Sequence, residues 1–334
     1  MEPQSIDNLR GEVTFRRKLA RQHVTGETLL PDYYGKEEHD KILAERVETT
    51  VQDIGRLEKR GKLSPFIELG AERCQRSLVL TNDFNAQGFS VDISFDQLKT
   101  AEHFARVLGR PKLPLRVCCD VNRLPFRSHS FAFAFCYEFL HHFPSPVPIL
   151  REAHRILSDG MFFFSEEPFK RPKVILYRQR HKMYSKSALR KSKAMQFIEK
   201  FLSEEYCDER EHGILENSDI PLKEWIAAAS IFNEKEVCIS SLGNKICSKL
   251  GDRVRIRNLP NMLLGGGISG VCMKKDLRPL VEPDDLLNLL LCPDCMAKAE
   301  YQEAGQPSLV RAASRLECSV CQSTFPVVDG VMFL

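Results

Sequence analysis

PFIELGAERC, residues 65–74, followed at 88–94 by GFSVDIS, decides how this chain folds. Phe66, Ile67 and Leu69 form a short apolar run that ends at the turn glycine Gly70. A helix-length interval follows, then a second apolar run ending at Val91-Asp92. Strand, glycine turn, crossover helix and a second strand closed by an acid are the parts of a βαβ nucleotide pocket. The acid falls about 20 positions beyond the turn, where it accepts hydrogen bonds from ribose hydroxyls.

The turn itself narrows the nucleotide. A dinucleotide site needs G-x-G-x-x-G so that a pyrophosphate can approach bare backbone. Here only Gly70 is present, in Gly70-Ala71-Glu72-Arg73-Cys74-Gln75, and Glu72 would repel a pyrophosphate. S-adenosylmethionine has no phosphate and carries an ammonium and a sulfonium, so Glu68 and Glu72 suit it. Taken alone, the stretch also admits a lesser reading, an ordinary α/β turn with solvated acids.

Working outward, 36–59 has helical periodicity (Ile42, Leu43, Val47, Val51, Ile54, Leu57). Ser94 three residues before Gln97 is a capping-box start for the next helix. Residues 115–120 and 131–136 read as buried strands. Ser145-Pro146 opens a helix that Gly160 is expected to stop, and Met161 to Phe164 reads as the fifth strand. Apolar strands alternating with helices argue for a parallel sheet covered on both faces. Further strands are expected at 237–242 and 268–273, with a helix around Trp225.

Between Pro168 and Ile198 every charged side chain is Lys or Arg. That run reads as a solvated insertion or as a docking face for an anionic substrate. The net charge of +3 implies no global polyanion partner. No run is long enough to span a bilayer, and MEPQSIDNLR lacks the apolar core of a signal peptide, so a cytoplasmic protein is expected.

Cys292-Pro-Asp-Cys295 and Cys318-Ser-Val-Cys321 are two C-x-x-C knuckles. Together they offer four thiolates, the closed shell of a structural Zn²⁺. A module this small needs the metal to fold, and chelation is expected to unfold it while the larger domain persists.

Residues 63–170 resemble the class I S-adenosylmethionine-dependent methyltransferases, most nearly the small-molecule type of ubiquinone and menaquinone biosynthesis. The resemblance runs in order through Ile67 to Ala71, Val91 to Ser94, Cys119-Asp120-Val121 with Leu124-Pro125-Phe126, Tyr137 to Phe143, and Arg151 to Leu157 with Asp159-Gly160. It implies an α/β fold, a seven-stranded Rossmann-like methyltransferase sheet with its last strand antiparallel, and S-adenosylmethionine as cofactor. It implies Glu68 and Gly70 near the methionine portion, Asp92 at the ribose, and Asp120 with Val121 at the adenine. Ala71, Glu72 and Ile93 join them as cofactor-binding residues. Glu72 and Cys74 depart from the family, which has further glycines there. The tail, about 286–334, is similar to the small zinc-binding activator of tRNA, ribosomal RNA and release-factor methyltransferases, appearing here as a fused zinc-ribbon module.

The expected organisation is an N-terminal helical arm at 1–60, a methyltransferase domain at 61–275 with a basic insertion at about 170–235, and a zinc module at 286–334. The expected function is methyl transfer to a small molecule, lipid or glycan intermediate, with an anionic acceptor in keeping with the basic run. The alternatives are an RNA or protein methyltransferase, the nucleic-acid partner being the less favoured, and a non-catalytic binding protein. His141 and His142, beyond the fourth strand, are candidate bases; they read equally as packing or loop-capping residues, and Glu166 and Glu167 are alternatives.

Overall fold

The computed structural model describes residues 6–30, 36–170, 177–181, 203–207, 214–215, 217, 219–241, 246–264, 267–276, 280, 285–298, 309–312 and 314–334. Most of the basic run between Pro168 and Ile198, and much of the insertion at about 170–235, lie outside these residues.

Two helices, α1 (Ile6–Thr25) and α2 (Lys36–Leu57), precede the first strand. Then come β1 (Phe66–Leu69), α3 (Gln75–Asp83), β2 (Gly88–Asp92), α4 (Phe95–Leu98), α5 (Ala101–Val107), β3 (Leu115–Cys118), β4 (Phe131–Tyr137), α6 (Val147–Ile156) and β5 (Leu157–Glu167). β6 (Tyr177–His181) and β7 (Ser203–Cys207) form a separate parallel pair. α7 (Leu222–Ala229), β8 (Glu234–Ser241), β9 (Ile246–Leu250), α8 (Leu259–Leu264) and β10 (Ile268–Lys274) follow. The tail holds α9 (Pro293–Met296), β11 (Leu309–Ala312), β12 (Arg315–Cys318), β13 (Thr324–Val328) and β14 (Val331–Phe333).

The strands β3-β2-β1-β4-β5-β10-β8 make the expected seven-stranded core, with β10 antiparallel to both neighbours. The sheet does not stop at seven. β9 extends one edge and β14-β13-β12-β11 extend the other, giving twelve strands. Strand order reverses between β1 and β4, and the carboxyl ends of those two strands are where ligands bind in open α/β sheets.

β4 shows how one strand serves two cores. Phe133, Phe135 and Tyr137 pack under α2 with Ile54 and Leu57. A register shift between Phe131 and Phe133 sends Phe131 to the opposite face, beside Phe89 and Phe126. Gly160 does not stop a helix as expected. It lies inside β5, where a Cβ would strike the Ala132 carbonyl, so glycine permits the close strand approach. The helix expected after Ser94 is broken into α4 and α5. Ser94 Oγ accepts from Gln97 N at 3.4 Å, but the Gln97 amide donates to the Arg16 carbonyl at 3.1 Å instead of returning to the cap.

α1 and α2 meet the sheet through a buried histidine stack. His23 and His39 lie ring on ring at 3.9 Å, with Arg73 bonded to His39 and lying 5.4 Å from the Phe104 ring. Burial, then the Arg73 charge, lowers His23 to about 2 and His39 to about 4, against 6.5 for the ordinary imidazole. Because the folded values are depressed, this packing contributes full stability above about pH 6.5 and loses it as pH falls below that. Glu68 and Asp92, whose folded values are raised, act in the opposite sense. The thermal midpoint is therefore expected to drop less between pH 7.5 and 5 in a His23→Gln/His39→Gln double variant than in the native chain. Equal drops would show that the stack does not sense pH.

Candidate functional site

The turn after β1 lies at this strand-order switch. Gly70 has φ +69, and an added Cβ would collide with the Phe139 ring, so the bare backbone here accommodates the loop after β4. Glu72 (φ 46) and Cys74 (φ 62), the two departures from glycine, both adopt left-handed backbone. The turn thus keeps a glycine-loop conformation without the glycines. Glu138 (φ 46) and Glu166 (φ 64), after β4 and within the last residues of β5, are held similarly. Left-handed non-glycine residues cost about 1 kcal/mol or more each and gather at functional sites.

Both acids expected to face a ligand ammonium are engaged inside the protein. Glu68 is buried, with Ser77 N donating to it at 3.1 Å and the Ser77 hydroxyl bonded to the same oxygen; burial raises its carboxyl to about 7. Glu72 accepts from Arg16 Nη1 at 2.9 Å, with Arg46 at 3.6 Å and Arg73 at 3.7 Å. Burial resists its ionisation, but the summed charge of Arg73, Arg16, Arg46 and Arg76 holds it well below the usual carboxylate range. Arg73 and Arg76 stand beside Glu72 in the chain, but the other half of the clamp, Arg16 and Arg46, arrives on α1 and α2.

Asp92 ends β2. Its Oδ2 accepts from Glu72 N at 2.9 Å and its Oδ1 from Ser94 N at 2.8 Å, while burial raises it to about 6. One bond per oxygen leaves each a lone pair for a further donor. Ala71 N donates to the Val91 carbonyl at 3.0 Å, tying the turn to β2, and the Ile93 carbonyl accepts from Cys118 Sγ at 3.4 Å. Asp120 is exposed and accepts from Asn122 N at 2.9 Å, capping a 3₁₀ turn in which Val121 is buried.

Beyond β4 a 3₁₀ turn, Leu140–His142, brings two imidazoles together with centroids 4.3 Å apart. Glu167, wholly buried at the end of β5, anchors that turn. Its Oε1 accepts from Phe139 N at 2.8 Å and Leu140 N at 2.9 Å. Its Oε2 contacts His141 N at 3.2 Å and His141 Nδ1 at 2.9 Å. The tautomer with its proton on Nδ1, which donates to Glu167, places the ring's lone pair on Nε2. In His142 the Nε2 lies 3.4 Å from Arg16 Nη2, which can only donate, and Nδ1 is 3.2 Å from the Leu215 carbonyl. His142 therefore ties the turn to α1 and to Leu215. Asn217 N also donates to the His141 carbonyl at 2.9 Å, and Ile214 packs against Phe15 and Leu19. α1 and these residues together roof the histidine turn.

The four tail cysteines converge as their spacing suggests. All four Sγ atoms lie within 4.8 Å of one another, with Cys292–Cys321 at 3.5 Å and Cys295–Cys318 at 3.7 Å. Sulfurs bonded to zinc at about 2.3 Å in a tetrahedron lie roughly 3.8 Å apart, so the set can hold a metal. Cys321 N is 3.5 Å from Cys318 Sγ, the backbone support of the second knuckle.

The tail is built into the main sheet. β14 pairs parallel to β3, with Val331↔Arg116, Met332↔Val117 and Phe333↔Cys118. Leu290 bridges Phe126, and Leu291 N donates to the Pro125 carbonyl at 2.8 Å.

A family model described as a methyltransferase domain matches residues 67–164. No curated protein matches the chain. Among solved structures, the PH0226 protein of Pyrococcus horikoshii is 22% identical over 36% of this chain and 53% of its own, with a TM-score of 0.32. This chain thus spans about half of that protein's length. A protein of Thermotoga maritima described as a SAM-dependent methyltransferase is 15% identical over 72% of this chain and 95% of its own, TM-score 0.41. A chain from the complex between the Haloferax volcanii Trm112 methyltransferase activator and a protein described as a methyltransferase is 14% identical over 71% and 95%, TM-score 0.42.

Proposed function

We propose, on the match of residues 67–164 to a methyltransferase-domain family model, that the chain transfers a methyl group from S-adenosylmethionine to a small-molecule, lipid or glycan acceptor. The observation that carries this reading is Asp92, an acid at the end of β2 with a lone pair spare on each oxygen, beside a left-handed turn at the strand-order switch. Asp92 would hold the ribose, and the turn from Gly70 to Cys74 would bound the methionine end. Asp120 and Val121 would border the adenine. Bound there, S-adenosylmethionine supplies an electrophilic methyl group.

The remaining chemistry falls to the protein's own residues. In-line displacement needs an acceptor held in line, and proximity supplies much of the rate. An acceptor hydroxyl or ammonium must lose a proton, and His141 Nε2 is the group to take it. Glu167 then stabilises the imidazolium through Nδ1–H. The roof of α1 with Ile214, Leu215 and Asn217 keeps water off the turn. The four tail cysteines would hold a structural Zn²⁺ with no open position.

Calorimetric titration with S-adenosylmethionine tests the cofactor. Asp92→Ala is expected to weaken binding about 10- to 100-fold, the worth of hydrogen bonds to a charged group. In the native chain affinity should fall as pH drops through about 6, where Asp92 protonates and loses an acceptor. Undiminished binding by Asp92→Ala would overturn the ribose role. A labelled-methyl screen over lipid, small-molecule, RNA and protein fractions identifies the acceptor, and labelling confined to RNA or protein would displace the small-molecule reading.

A further inference from the structure

On the sheet edge formed by β9, away from the tail, the chain reads Asp252-Arg253-Val254-Arg255-Ile256-Arg257, and all six residues are exposed. Ile256 is 85% exposed, and Val254, Leu259 and Leu263 are each more than 40% exposed. Single exposed aliphatic residues are ordinary. Four within ten residues, interleaved with three arginines, form a patch of mixed apolar and cationic character.

Two buried amides hold this patch in shape. Asn258 Oδ1 accepts from Arg255 N at 2.9 Å, while its Nδ2 donates to Ser248 Oγ at 3.0 Å and the Lys249 carbonyl at 3.1 Å. Asn261 Nδ2 donates to the Ile239 carbonyl at 3.0 Å, and its Oδ1 accepts from Ser241 Oγ at 2.7 Å. The two asparagines thus turn inward onto β8 and β9, while the aliphatic side chains turn outward among the arginines. Asp252, the acid of the loop, pairs with Lys235 at 2.8 Å, which leaves three arginine charges in excess.

We propose that this loop is an interfacial anchor for an anionic phospholipid surface. Val254, Ile256, Leu259 and Leu263 enter the headgroup–acyl boundary while Arg253, Arg255 and Arg257 meet lipid phosphates. Arginine suits that depth because its stem is apolar and its fork reaches phosphate. RNA fits less well, since residues 251–264 contain no aromatic side chain on which a base could stack. The inference is independent of methyl transfer, because it is read from binding alone.

The test is sedimentation of the full chain with vesicles of phosphatidylcholine and phosphatidylserine at roughly three to one, against vesicles of phosphatidylcholine alone. Binding to the first and not the second is expected. Neutralising all three arginines to Gln should lower partitioning on the order of 100-fold, about fivefold per basic residue. Ile256→Asp should lower it by at least about tenfold, since it removes the most deeply seated apolar group. Val254→Asp serves as a second variant, and unchanged circular dichroism in each confirms the fold. No sedimentation with anionic vesicles, or equal sedimentation by Ile256→Asp and the native chain, would overturn the anchor. So would retention of a single-stranded RNA that depends on the arginines while vesicle binding does not.

Discussion

Stripping metal from the tail, by chelation or by Cys318→Ser with Cys321→Ser, is expected to unfold the whole protein in one transition, with a thermal midpoint lower by more than about 10 °C. The spacing of the knuckles suggests an autonomous module whose loss spares the rest. The strand pairing argues otherwise. β14 is hydrogen-bonded along β3, and Leu290, Leu291, Leu309, Leu316, Val331 and Met332 are all buried. Most of them belong to the same apolar cluster as Phe89, Phe126 and Phe131. At about 1.5–3 kcal/mol for each fully buried apolar side chain, these six are worth on the order of 10 kcal/mol, an upper bound. That matches the 5–15 kcal/mol that typically separates a folded from an unfolded domain. Without the tail, β3 is also left with an open edge. Two well-separated transitions in calorimetry, the upper one unchanged by chelation, would show that the modules fold independently. Metal analysis giving well under one zinc per chain would remove the premise.

Glu167→Gln is expected to cost about 2–4 kcal/mol of stability and to lower the methyl-transfer rate at least about 100-fold. The stability loss follows from the bonding. Four donors converge on the carboxylate, and an amide nitrogen in place of one oxygen leaves two of them unmet in a buried site. The rate loss follows from the tautomer, since a wrongly protonated His141 cannot accept at Nε2, and general-base catalysis is worth roughly 10²–10⁴-fold. His141→Asn should lower the rate similarly, with less effect on stability, and abolish the histidine limb of the pH–rate profile. Rates are measured on the acceptor that the labelled-methyl screen identifies. ¹⁵N resonances of His141 give the tautomer without an acceptor. A destabilised Glu167→Gln enzyme with native rate and pH profile would make the histidine turn a packing feature. His142→Asn should leave the pH profile unchanged, because His142 Nε2 already receives Arg16.

Much of the core was legible because its signals are local. Phe66 to Gly70 and Phe89 to Asp92 announce a strand, a turn and an acid within a few residues, and β1 and β2 form there. α2, α6, α7, β8 and β10 lie close to where periodicity and caps place them. Gly160 misled because a glycine after a helical run resembles a stop signal, whereas its cause lies across the sheet at Ala132. The departures at Glu72 and Cys74 looked like changes in ligand chemistry. Their backbone takes the left-handed conformation that glycine favours, and the charge of Glu72 answers to Arg16 and Arg46. Glu167 stood in view as a carboxylate after an apolar strand, but its four donors come from the turn that holds the histidines.

By itself the sequence determined the βαβ unit with the acid that ends its second strand, the alternation that builds the parallel core, and the four-thiolate site. Each rests on spacing within one or two elements, where chain geometry dictates which side chains share a face or a turn. Only the tertiary structure decided that α1 clamps Glu72 and roofs the histidine turn, that Glu167 anchors that turn, and that the tail is part of the main sheet. Those features join residues distant in the chain, such as Arg16 with Glu72 and Val331 with Arg116. A buried charge or an open strand edge must find a partner, but nothing local to it names which segment will supply one.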